Sequence, residues 1–242
     1  MAIHVEGTII PLYRAKRANP PVATGFAGTA FFIAPELLVT CWHCVKERLP
    51  DDLGYLALIM QEPWYVDWLF NISQDKNGSD LATANIRGKP DFQFLLGTEP
   101  ALQGVDISTF GYPFSSVKLD ESGSLRPTLE IRLFKGYIMR TFFFDYPPFG
   151  QTLSYEISFP APGGLSGAPI IELNTRRILG VVYGNNDVAT TEHFTQVDEE
   201  GKRTPEIQRV VSFGLAHHSD TLRNLSGAAT KGKPLKEIVR SS

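Results

Sequence analysis

The chain has 242 residues, 43% hydrophobic and 20% charged, which is the balance of a globular protein with a substantial core and excludes a disordered or fibrous one. A formal net charge of −3 gives no electrostatic reason to expect nucleic acid. No apolar run approaches the roughly 18–20 residues of a membrane span; "MAIHVEGTIIPLYRAKR" lacks the basic-then-apolar order of a secretion signal; and two cysteines three apart make no secreted disulfide framework. A cytoplasmic protein with no membrane partner is expected.

In chain order, short apolar runs alternate with turn signals. "HVEGTIIPLY", "GTAFFIA" and "ELLVTC" read as strands, then "YLALIM", "WYVDWLF", "DLATANI" and "DISTFGYP". After the polar "SSVKLDESGSLRPT" come "LEIRLFKGYIMRTFFF", "LSYEISF", "APIIEL", "RILGVVYG" and "RVVSFGLA". Many short strands separated by turns such as "NGSD" and "ESGS" predict an all-β barrel or sandwich. "CWHCVKERL" is a candidate short helix. "SDTLRNLSG" is another, with Ser219 or Asp220 as N-cap and Gly227 as a stop. The expected division is residues 1–115, a linker at 116–127, and residues 128–242. "NNDVATTEHFTQVDEEGKRTPEIQ" is too polar for core and reads as a surface loop; "KGKPLKEIVR" reads as a solvated terminus.

Cys41-Trp42-His43-Cys44 has the C-x-x-C spacing of a redox dithiol or half a zinc site. A redox dithiol needs the motif at a helix start inside a β/α unit, and the pattern here is nearly all β. Zinc needs about four ligands, and there is no second cysteine pair. The thiol-oxidoreductase reading stays as an alternative, and no metal or other cofactor is expected. Downstream, Gly164-Leu165-Ser166-Gly167-Ala168-Pro169 is G-x-S-G-x-P. A nucleophilic serine must project from a sharp turn with backbone N–H groups aimed at the developing oxyanion, and glycines permit that path. Pro169 then opens a strand, where its missing N–H is tolerated. Asp80 stands between the two motifs at a turn-to-strand boundary, where a buried carboxylate would fix the tautomer of His43. Asp75, Asp91 and Asp106 are rivals, but none precedes a Leu-Ala strand.

Four segments in order resemble the chymotrypsin-fold (trypsin-like) serine proteases: "GTAFFIAPELLVTCWHCV", "SDLA", "GVDISTFGYP" and "GGLSGAPI" with "ILGVVYG". The likeness spans about Thr24 to Leu225. It implies two packed antiparallel six-stranded β-barrels and a short C-terminal helix, with His43 and Asp80 from the first barrel and Ser166 from the second. It implies peptide-bond hydrolysis through a His43–Asp80–Ser166 triad, an oxyanion hole from the N–H groups of Gly164 and Ser166, and a protein or peptide substrate. Pro160, Tyr183, Gly184 and Ala216 take the positions of the primary pocket. With Pro160 where trypsin has its acid, a small or apolar P1 side chain is implied. Leu165 replaces the aspartate that secreted relatives pair with a new N-terminus, so the chain resembles bacterial members that need no such cleavage. No upstream cysteine stands near Ala27 to pair with Cys44, so both thiols are expected to be reduced. His217 and His218 read as surface or satisfied groups, His4 and His193 as surface groups, and "FKGYIMRTFFFDYPPFG" as packing. A protease fold without activity, serving as a peptide-binding module, is the other alternative.

Overall fold

The computed structural model describes Val5 and residues 7–90, 94–119, 125–192 and 207–239. His4, Asp91, His193 and parts of the expected linker and loop lie outside these residues. Among the described residues the strands form two seven-stranded sheets and one hairpin.

In the first half, β1 (Ile9–Lys16), β2 (Val22–Ala34), β3 (Leu37–Cys41), β4 (Leu53–Ile59), β5 (Tyr65–Trp68), β6 (Phe70–Gln74) and β7 (Leu81–Asn85) pair in the order β5-β4-β1-β2-β3-β7-β6. The apolar run of β3 is buried at every residue, as a strand covered on both faces must be. β5 and β6 lie at opposite edges, yet only Leu69 separates them in sequence. The Leu69 N–H donates to the Tyr55 carbonyl in β4 at 2.9 Å. One strand bent at Leu69 thus joins both edges and curls the sheet on itself, leaving little open edge.

In the second half, β8 (Leu95–Leu96) and β9 (Asp106–Gly111) are followed by β10 (Ser116–Leu119) and β11 (Leu125–Thr128), then β12 (Arg132–Tyr146), β13 (Gly150–Ile157), β14 (Pro169–Glu172), β15 (Arg177–Glu192) and β16 (Ile207–His217). β14 pairs with both β9 and β15, so six strands close into a ring and β8 joins β15 in parallel. The six strands expected per barrel become seven per sheet through the break at Leu69 and the addition of β8.

Local structure departs from the sequence reading in four places. The polar linker carries a hairpin, β10 against β11, which lies on β2. The polar stretch after Gly184 is not irregular where described: Asn186–Glu192 pairs residue by residue with Ile207–Phe213. Val188, Val210 and Val211 of this arm are exposed, so neither face shows the alternation of a half-buried strand. The terminus is not merely solvated, because Leu235 in helix Leu235–Ile238 is fully buried. The helix Ser219–Asn224 is capped by His218, whose ring accepts the Asp220 N–H at 3.2 Å, rather than by Ser219 or Asp220.

One buried cluster runs between the sheets, from Phe31, Val39 and Leu81 to Tyr112, Val181 and Leu215. A second, around Ile138, Tyr155 and Val182, fills the closed barrel. Each such side chain contributes about 1.5–3 kcal/mol by burial, and the shared cluster fixes one sheet against the other.

Candidate active site

β3 and β7 are antiparallel neighbours with Cys41 opposite Leu81, so the residues just after β3 meet those just before β7. The Trp42 N–H donates to the Asp80 carbonyl at 2.9 Å, extending the ladder by one bond. A single helical turn, Trp42–Val45, then brings His43 to Asp80. The His43 N–H donates to Asp80 Oδ1 at 2.8 Å, and His43 Nδ1 lies 2.6 Å from Oδ2. The Asp80 side chain is 0% exposed and that of His43 27%. A carboxylate so buried needs donors around it, and the Tyr146 hydroxyl supplies a third, 3.2 Å from Oδ2. With Nδ1 donating to the carboxylate, Nε2 of the neutral ring carries the lone pair. Burial opposes a charge on His43, but the bond and charge of Asp80, with the Cys44 thiol beside them, outweigh it and hold the imidazole protonated well above its ordinary range. His43 lines a cavity of about 530 Å³ with Phe26, Arg14 and Tyr55.

Ser166 sits in the loop into β14. The Leu165 N–H donates to the Pro162 carbonyl at 3.0 Å across a turn whose third residue, Gly164, has φ +98°. A type II turn demands that left-handed backbone at its third position, and glycine adopts it without strain. The Gly163 carbonyl accepts the Phe114 N–H at 3.0 Å. A trans peptide points its C=O and N–H in opposite directions, so the Gly164 N–H turns away from Phe114. The Leu165 carbonyl is likewise held by the Ala168 N–H at 3.0 Å, which turns the Ser166 N–H away from that turn. Neither N–H is bonded among the described residues. Thr29 of β2 clamps the loop: its N–H donates to the Ser166 carbonyl at 2.9 Å and its hydroxyl to the Gly164 carbonyl at 2.8 Å, while accepting the Tyr112 N–H at 3.2 Å. At Gly167 a Cβ would lie 2.0 Å from the Thr29 carbonyl oxygen, so the approach of the two barrels excludes any side chain there. The Ser166 hydroxyl donates to the Tyr183 carbonyl at 3.4 Å.

No family model and no curated protein matches the sequence. Solved structures do match. The active form of the Rv3671c protease from M. tuberculosis shares 18% identity over 98% of this chain and 83% of that one, with a TM-score of 0.58. Its inactive form shares 18% over 97% and 90%, with a TM-score of 0.57. The apo MamO protease domain from Magnetospirillum magneticum shares 12% over 90% and 94%, with a TM-score of 0.55. The chain has the trypsin-like serine protease fold.

Within that fold, the residues expected at the primary pocket divide. Pro160 is exposed and Gly184 half-buried, whereas Tyr183 and Ala216 are buried. The Tyr183 ring lies against Tyr146 and His217, with its hydroxyl 2.8 Å from Ser154 Oγ. Ala216 belongs to the core of the closed barrel. Asn185 of β15 instead holds the segment ahead of the serine turn: its Oδ1 accepts the Ala161 N–H at 2.6 Å and its Nδ2 donates to the Ala161 carbonyl at 3.1 Å. Among the rival carboxylates, Asp75 is buried in a turn, accepting from Ser79 and from the Ser226 N–H, and Asp106 is exposed on β9.

Both thiols are free and buried. The position facing Cys44 is Gly28, where a Cβ would lie 2.6 Å from Sγ, rather than Ala27. Cys41 donates to the Val182 carbonyl at 3.2 Å, and burial with the nearby Asp80 charge pushes its thiol well up. His217 and His218 are not surface groups. His218 packs on Tyr155; His217 is 0% exposed, and burial lowers it to about 4. The Asp80 backbone approaches the His217 ring without completing a hydrogen bond, and neither ring nitrogen has a partner among the described residues. Sequence reasoning missed Tyr146, Thr29 and Asn185. All three lay in segments already singled out, but for other reasons: Tyr146 in the aromatic run read as packing, Thr29 in a strand, and Asn185 in a stretch read as a surface loop.

No helix among the described residues is long and apolar enough to cross a membrane.

Proposed function

We propose that the protein is a serine endopeptidase. Ser166 attacks a peptide carbonyl; His43 takes its proton and passes it to the leaving amine; water then cleaves the acyl-enzyme by the same route in reverse. Asp80 keeps the proton of neutral His43 on Nδ1 and stabilises the imidazolium. The N–H groups of Gly164 and Ser166 receive the oxyanion. The observation that carries this reading is the short His43–Asp80 contact together with a serine turn whose two flanking N–H groups point away from their own hydrogen-bonded turns. Pro160 and Gly184 rim the site for the P1 side chain. Asn185, next to Gly184, is tied to Ala161, next to Pro160, by two hydrogen bonds, which holds these two residues together.

One observation favours a peptide-binding module without turnover: the Ser166 hydroxyl is bonded to Tyr183 and not to His43. Hydrogen bonds of this kind often form only when substrate is bound, which keeps catalysis as the better reading. The thiol-oxidoreductase alternative loses support, because a buried thiol pushed upward is not a reactive thiolate. The test is hydrolysis of an unstructured protein and of fluorogenic peptides by wild type and Ser166→Ala. Loss of such a nucleophile costs on the order of 10⁶ in kcat; comparable turnover by the variant sinks the proposal.

A further inference from the structure

We propose that Cys41, Asp80 and His217 form a buried site for a thiophilic divalent cation such as zinc, and that filling it switches hydrolysis off. The switch rests on the endopeptidase reading; the site does not.

The Cys41 thiol, an Asp80 carboxylate oxygen and a His217 ring nitrogen lie within 4.8 Å of one another, and all three residues are buried. They converge from both barrels: the end of β3, the turn before β7 and the end of β16. Thiolate, imidazole and carboxylate are the three ligand types zinc takes, and tetrahedral bonds of about 2.0–2.3 Å set ligand atoms roughly 3.3–3.8 Å apart. The Val182 carbonyl, 3.2 Å from Cys41 Sγ, offers a further oxygen.

The independent observation is His217. It is fully buried, both ring nitrogens are unpartnered among the described residues, and its ring is held by the Tyr183 face 4.5 Å away. Such an orphaned group needs a partner to offset its lost hydration. A cation bound through one nitrogen supplies it. Among the three ligands, a thiolate and a carboxylate offset the charge of a dication, which a buried ion needs. Cys41 gives up one proton per ion bound. Asp80 is the shared member. An Asp80 carboxylate drawn onto the ion gives up the 2.6 Å contact that orients the His43 ring, so the filled site misplaces the proton acceptor without touching Ser166.

The full chain is dialysed to equilibrium against Co²⁺, over long incubation because the ligands are buried. The expected result is one cobalt per chain with a thiolate-to-cobalt charge-transfer absorption, displaced by zinc. That absorption is lost in Cys41→Ser, and affinity drops at least about tenfold in His217→Gln. No stoichiometric uptake, or an absorption unchanged in both variants, overturns the site. X-ray absorption on zinc-loaded wild type needs no variant: one sulfur among the ligands supports the site, and nitrogen and oxygen alone overturn it. Zinc should inhibit hydrolysis slowly and a chelator restore it; uptake without inhibition overturns the switch. If the metal-free protein hydrolyses nothing, the endopeptidase reading fails while the cobalt result still decides the site.

Discussion

Asp80→Asn removes one charge and keeps the shape of the side chain. In the wild type the carboxylate accepts from the His43 N–H at 2.8 Å, from His43 Nδ1 at 2.6 Å and from the Tyr146 hydroxyl at 3.2 Å. An amide has one oxygen and one NH₂ for three donors. If the NH₂ meets Nδ1, the imidazole proton moves to Nε2, the nitrogen that must accept from Ser166. In triads of this kind the same substitution lowers kcat about 10⁴-fold, or ~5.5 kcal/mol at 1.36 per decade. The pH profile carries the sign. Burial pulls the His43 pKa down, and Asp80 more than offsets it, so the wild-type acid limb should lie on the alkaline side of about 6.5. Without the charge, burial is opposed only by Cys44, and the limb must move to lower pH while kcat falls. The assay is peptide hydrolysis over roughly pH 5 to 10, with His43 titrated by NMR in parallel. An acid limb that stays in place, with kcat within about tenfold of wild type, would refute the pairing.

Tyr146→Phe removes a neutral donor from Asp80, so more of its charge acts on His43. The acid limb should move further alkaline, and urea denaturation should show a loss of about 1.5–3 kcal/mol, the worth of a bond to a charged group; a limb moving the other way contradicts this. Thr29→Val takes the hydroxyl away from the Gly164 carbonyl, at about 1–3 kcal/mol. It should lower kcat more than it raises KM, because the serine loop is loosened, and unchanged kcat and stability count against the clamp. Cys44→Ala should keep turnover within about tenfold. A folded but inactive variant, with wild type blocked by thiol alkylation, would return the chemistry to the cysteines.

The parts of the site that one segment specifies were legible in sequence. "GGLSGAP" encodes its own turn because Gly164 must adopt φ +98°. "LLVTC" and "DLATA" encode adjacent strands, and their pairing, with the helical turn that follows the first, brings His43 to Asp80. What could not be read depends on contacts between barrels. Nothing near Tyr146 says that its hydroxyl reaches Asp80, and nothing near His217 says that both its faces are covered. The β15–β16 arm was hidden for another reason. With Val188, Val210 and Val211 exposed, it lacks the period-two burial that marks a strand, and only its backbone pairing reveals it. The linker hairpin was masked in the same way by its polar composition.

The most direct measurement is labelling by a fluorophosphonate with peptide mapping. It reads nucleophile, base and oxyanion site together and needs no knowledge of the natural substrate. The expected result is one label per chain, on Ser166, at a rate that rises with pH along the His43 limb and disappears in His43→Ala. A folded chain that takes no label at any pH, or takes it on another residue, contradicts the assignment of Ser166 as nucleophile and His43 as its base.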